Sequence, residues 1–115
     1  MIRHRQSQVL VVLVTCPSPA AARRIARALI SRRLAACVNV VPGLTSFFWW
    51  AGKLARARET LLIIKVPARA FQPLTRAILS LHPYEVPEIV ALPVTAGHGA
   101  YLRWVLSETR RGIAI

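Results

Sequence analysis

From Val9 to Val14 the chain is an unbroken run of valine and leucine, the pattern of a strand covered on both faces. Thr15-Cys16-Pro17-Ser18-Pro19 ends it, with Ser18 placed as an N-cap and Pro19 at the first helical position. The period then changes. Ala22, Ile25, Ala26, Leu29 and Ile30 fall on one arc of a helix that should run to about Arg33, with Arg23, Arg24, Arg27 and Ser31 opposite. Leu34 to Val41 reads as a second strand, bent or bulged at Pro42-Gly43 and continued by Leu44 to Trp50. Ala51-Gly52 makes the next turn, and Glu59 to Val66 alternates well enough for a third strand in a long hairpin with the second. After Pro67 a helical stripe of Phe71, Leu74, Ile78 and Leu81 ends near His82. Pro83 and Pro87 keep the connection extended up to a fourth strand, Ile89 to Val94. Thr95 to Gly99 is a loop, and a last helix should cover Ala100 to about Arg111, closed by Gly112.

The order β-α-β-β-α-β with an added terminal helix predicts an α+β ferredoxin-like plait, one antiparallel sheet with two helices on one face. Such a sheet leaves its other face and both edges open. Phe47, Phe48, Trp49 and Trp50 are consecutive on the long hairpin, so large rings must project from both sides of that strand. One subunit has too little surface to cover them all, and self-association is expected.

Length allows a single domain: a basic tail at 1–7, the domain at 8–111 and a short tail at 112–115. Hydrophobic residues are 55% and charged ones 17% of the chain, which excludes a disordered protein. Sixteen Lys+Arg against four Asp+Glu give a formal charge of +12. All four acids are glutamates, Glu59, Glu85, Glu88 and Glu108, so no Asp-containing triad and no Asp-rich Mg²⁺ or Ca²⁺ cage can form within one chain. The arginines are spread along the chain with no nucleic-acid motif beside them, a pattern of solvated faces; the other reading is an anion- or nucleic-acid-binding module drawn by charge. Cys16 and Cys37 have no metal-motif spacing. The β-branched run at Val9 is too short for a signal peptide, and Leu34 to Gly52 is too polar to span a membrane, so a cytoplasmic protein with reduced thiols and no membrane partner is expected.

Two segments concentrate chemistry. His82-Pro83-Tyr84-Glu85-Val86-Pro87-Glu88 holds a histidine, a tyrosine and two of the four acids on a backbone stiffened by proline. His82 there is either a metal ligand or acid–base group oriented by a glutamate, or a helix-end residue with its acids paired to arginines. Glu59 and Lys65 lie at even separation on the third strand, as a pocket-lining pair or an exposed ladder pair. An acylphosphatase-like enzyme on the same fold would need a phosphate-cradling loop after the first strand, with an Asn nearby. Asn39 is available, but Thr15 to Pro19 has no glycine and two prolines that remove backbone donors. No catalytic constellation is present, and the expectation is a non-enzyme.

Leu34-Ala35-Ala36-Cys37-Val38-Asn39-Val40-Val41-Pro42-Gly43, Ser46-Phe47-Phe48-Trp49-Trp50-Ala51-Gly52-Lys53, Glu59 with Ile64-Lys65, His82 to Glu88, and Tyr101-Leu102-Arg103-Trp104 occur in this order. Together they resemble the CutA family of divalent-cation tolerance proteins over about Val9 to Arg110. The resemblance implies a tight homotrimer whose hairpins pair edge to edge, a role in tolerance of copper and other divalent cations, and a cytoplasmic location. It implies Cys37 and His82 as metal-binding side chains, taking Cu²⁺ or a similar cation without any organic cofactor. Neutral imidazole and thiolate suit copper and zinc far better than Mg²⁺. It further implies Trp50, Glu59, Lys65, Tyr84, Glu88 and Tyr101 around an inter-subunit cleft. The chain departs from the family pattern at Phe48, where Tyr is common, at Val66, where Thr is common, and at Ala55, Arg56, Ala57 and Arg58, where acids are usual.

Overall fold

The computed structural model describes residues 8–110; the expected tails and the Gly112 cap lie outside the described residues. The elements are β1 (Val9–Cys16), α1 (Pro19–Ser31), β2 (Cys37–Trp50), β3 (Lys53–Pro67), a single 3₁₀ turn (Ala68–Ala70), α2 (Phe71–Leu81), β4 (Ile89–Pro93) and α3 (Gly99–Glu108). The four strands make one antiparallel sheet in the order β2-β3-β1-β4, the ferredoxin-like arrangement. Val12, Val14 and Cys16 of β1 and Leu62, Ile64 and Val66 of β3 point to one face, where they meet Ile25 and Leu29 of α1 and Leu74 and Ile78 of α2. Burying each such aliphatic side chain contributes about 1.5–3 kcal/mol, and this layer is where the subunit gains its stability.

Ser18 caps α1 as its sequence position requires, its side chain accepting from the Ala21 N–H at 3.1 Å. At the other end the helix stops at Ser31, two residues before the expected Arg33. Arg33 takes a left-handed φ of +58°, so that Leu34 N–H reaches back to the Leu29 carbonyl at 2.9 Å. Leu34 and Ala35 are then buried under the helix and β2 starts only at Cys37.

The long hairpin has two unlike halves. Residues 37–41 pair with 61–65, and a bulge at Pro42-Gly43, with Gly43 at φ +86°, shifts the register before Leu44 meets Glu59. Beyond it β3 begins at Lys53 rather than at the expected Glu59. In Lys53 to Arg58 the half-buried positions are only Ala55 and Ala57, between exposed Leu54, Arg56 and Arg58, too small to announce a strand; the backbone ladder to Ser46–Trp50 is what makes it one. Ala51 (φ +51°) and Gly52 (φ +77°) form the two-residue turn, whose left-handed backbone matches strand twist.

Two contacts at the 3₁₀ turn tie the fold together. Ala68 N–H donates to the Gln8 carbonyl at 2.7 Å. Arg69 donates to the carbonyls of Leu106 (2.9 Å), Thr109 (3.3 Å) and Arg110 (2.6 Å), supplying a cation and donors to the unpaired C-terminal end of α3. That helix ends at Glu108, short of the expected Arg111. Arg33 holds the same end, pairing with the Glu108 carboxylate at 3.0 Å, while Arg110 N–H returns a bond to the Arg33 carbonyl at 2.9 Å.

Candidate functional site

The end of α2 builds the first polar cluster. His82 N–H closes the helix on the Ile78 carbonyl at 2.8 Å, and Pro83 then holds the backbone extended. The imidazole is buried, with Nε2 2.7 Å from the Thr15 carbonyl and Nδ1 accepting the Tyr84 N–H at 3.0 Å. A carbonyl only accepts, so Nε2 carries the proton and the ring is a single neutral tautomer with both nitrogens engaged. The Tyr84 hydroxyl donates to Glu59 Oε2 at 2.8 Å, and its ring lies 4.9 Å from that of His82. Glu59 is only 8% exposed, so this hydrogen bond offsets the desolvation of its carboxylate. Burial first, then the bond to Glu59 and its charge, pushes the Tyr84 hydroxyl up to about 12. The fully buried Cys16 thiol is pushed up to about 11 by burial and by Glu59, with Arg24 opposing. A protonated, enclosed thiol is no nucleophile.

The second cluster sits where β2 and β3 run beside α3. Cys37 stands directly across from Lys65, and Lys65 Nζ donates to Asn39 Oδ1 on the diagonal. The Tyr101 hydroxyl reaches Cys37, and burial together with Cys37 raises its pKa. Trp104 stacks on Tyr101 with ring centroids 5.6 Å apart, backing the ring whose hydroxyl reaches the half-buried thiol.

The expected residues are therefore sorted into groups. Glu59 and Tyr84 meet, with His82 beside them, and Lys65 and Tyr101 both adjoin Cys37. Glu59 and Lys65 are not partners, since six strand residues separate them by about 20 Å. Cys37 shares its rung with Val11 through Lys65, whereas His82 binds Thr15, four residues or about 13 Å further along β1. Trp50 at the hairpin turn and Glu88 in the connection to β4 are exposed. Sequence reading missed Cys16 as the neighbour of Glu59; the register pairing Cys16 with Thr60 creates that proximity, and no local motif carries it.

Among the described residues no three His, Cys, Asp or Glu side chains converge so as to hold a metal ion, and no helix is long and apolar enough to cross a membrane. The β1–α1 connection offers no phosphate cradle, because Ser18 is committed to capping and Asn39 to Lys65.

Against known proteins, the family description "CutA1 divalent ion tolerance protein" matches residues 10–108. The divalent-cation tolerance protein CutA of Thermus thermophilus is 52% identical over 99 residues, covering 86% of this chain and 96% of that protein. A chloroplastic CutA 1 of Oryza sativa is 46% identical over 101 residues; the chain spans 57% of that longer protein. The solved structure of the Thermus thermophilus Cut A1 superimposes with a TM-score of 0.87 at 50% identity, over 89% of this chain and 99% of that one.

Proposed function

The chain belongs to the CutA1 divalent-ion tolerance family, and from that premise we propose that it works as a homotrimeric cation-binding protein rather than as an enzyme. The family is named for tolerance of divalent ions and not for a reaction. The observation that carries the assembly is the hairpin beyond Gly43, where Phe47, Trp49 and Trp50 are 67%, 73% and 70% exposed. Rings this exposed favour burial against another copy. The free edges support the same reading. The sheet ends in β2 on one side and β4 on the other, two unlike edges whose head-to-tail pairing gives a ring when the rotation between copies closes, as it would in a trimer.

The cation we assign is Cu²⁺ or a similar soft-to-borderline ion, taken as cargo through Cys37 and His82. One subunit does not fit a closed site, because these two donors are apart and among the described residues no group of three His, Cys, Asp or Glu forms around either. Neighbouring subunits would have to complete it, with Trp50, Glu59, Lys65, Tyr84, Glu88 and Tyr101 around the cleft between them. Cys37 is the more accessible donor; His82 would enter only by giving up one of its two bonds, the Tyr84 N–H at Nδ1 or, with loss of the Nε2 proton, the Thr15 carbonyl. Both cysteines are free thiols, which supports a reducing, cytoplasmic location.

Calorimetric titration of metal-free protein with Cu²⁺ tests the reading. Saturable binding is expected, weakened about tenfold or more by Cys37→Ala and less by His82→Ala, in the range of losing one ligand. Binding untouched by both substitutions overturns the assignment of the site, and no saturable binding at all overturns the cation role.

A further inference from the structure

The layer of α1, the 3₁₀ turn and α2 contains no carboxylate: residues 19–31 and 68–81 hold Arg23, Arg24, Arg27, Arg69 and Arg76 and neither Asp nor Glu. Arg69 is engaged with the carbonyls of α3. The other four are exposed on the side of the layer that faces away from the sheet. The four acids of the chain are all elsewhere: Glu59 is buried against Tyr84, Glu108 is held by Arg33, and Glu85 and Glu88 lie in the connection leading to β4. The surplus charge of the protein therefore has a single-signed face, not merely a scatter of arginines.

On α1, Arg23 and Arg27 are one turn apart, with Arg24 between them, so three guanidinium groups stand within one short stretch of surface. Guanidinium stays charged at every working pH, and its planar fork matches phosphate oxygens two at a time. The solvent side of the layer exposes no aromatic ring; Phe71 packs against the core. Without rings there is nothing to stack splayed bases on, and the exposed large apolar side chains of the two helices, Ile30 on α1 and Leu79 on α2, are one per helix and make no apolar stripe to enter a lipid surface. What remains is attraction to a regular array of phosphates.

We propose that the outer side of α1, extended by Arg76 of α2, docks the phosphate backbone of double-stranded nucleic acid without reading its sequence. The inference does not depend on the cation reading. It is compatible with the proposed assembly, which uses the hairpin and the β2 and β4 edges and leaves the helix layer outward.

Fluorescence anisotropy of a labelled random-sequence DNA duplex, titrated with the full chain at rising salt, decides it. The wild type should bind at low salt with a log–log salt slope that Arg23→Gln/Arg27→Gln makes shallower by about 2, with at least about tenfold weaker binding. Arg103→Gln/Arg110→Gln, which removes the same charge from α3 and the residues just after it, should leave affinity and slope nearly unchanged. Circular dichroism of both variants establishes that they are folded, and Arg23→Lys/Arg27→Lys should recover most of the binding. Equal weakening by the two glutamine pairs would mean attraction by net charge alone and overturns the proposal. So does absence of binding at low salt, or capture by phosphatidylserine vesicles in preference to the duplex.

Discussion

On one side of the Pro42-Gly43 bulge, β2 and β3 lie over α1 and α2, and residues such as Leu62 and Ile64 are inaccessible to solvent. On the other side the same two strands continue through Trp50 and Lys53, paired just as regularly, with rings and arginines in the open. Backbone hydrogen bonding is common to both halves, so it does not account for the difference. The root is a strand pair held by side chains that have left water. The tip is a strand pair whose apolar side chains have yet to be covered. Regular secondary structure and burial are thus separable within one hairpin, and the proposed assembly is what would supply the second.

The sharpest way to break this contrast is to cut into the root. Ile64→Ala should cost about 2–5 kcal/mol by removing packed methyl groups and leaving a cavity, read from urea unfolding at fixed protein concentration. Trp50→Ala should leave the far-UV circular dichroism of the subunit intact yet shift the assembly to lower mass on dilution. Its effect should exceed that of any single Arg→Ala on α1. Light scattering over a hundredfold dilution measures this, and a compact, folded species of one-subunit mass from the wild type would overturn the proposed covering of the tip by another copy.

A smaller effect separates the two halves by pH. The Tyr84 hydroxyl keeps its proton in the folded protein up to about 12, whereas an unfolded tyrosine loses it near 10. The folded state therefore binds more protons in that window, and stability present below about 10 should drain away as pH rises toward 12. Cys16 acts in the same sense between about 9 and about 11. Tyr84→Phe should flatten the upper part of the stability-versus-pH curve and Cys16→Ala the lower part. Substitutions at the tip should leave the curve's shape alone. The smallest expected change is at the turn: Ala51 sits at φ +51°, where asparagine is more at ease, and Ala51→Asn should raise stability by about 0.5–1 kcal/mol in the same urea assay.

What the amino-acid sequence disclosed follows the same division. The Val9–Val14 run, the Ser18-Pro19 helix start and the Phe71–Leu81 stripe are local patterns imposed by burial in the root, and each element was found where its pattern lies. Lys53 to Arg58 escapes notice because the inward positions of its alternation are only Ala55 and Ala57, which carry little apolar signal. The His82–Glu88 segment announced itself by composition, but its wiring did not. Thr15, Cys16 and Glu59 reach it through strand register, across 25 residues of sequence between Tyr84 and Glu59 and 67 between His82 and Thr15. The Arg69 grip on α3 was invisible for the same reason, its acceptors being backbone carbonyls that carry no residue-type signal.

That grip has a consequence for how the chain could be rearranged. Ala68 binds the carbonyl of Gln8 and Arg69 that of Arg110, so adjacent residues of one short turn hold both the entrance and the exit of the described fold. The path through the protein is close to a loop already. A short linker joining residues 8 and 110 would be tolerated, and the chain could be reopened in the exposed 95–98 loop to give a circular permutant with the same sheet order. In such a permutant the strand that now begins the fold would become an interior one, while the hairpin and its uncovered rings would stay where they are.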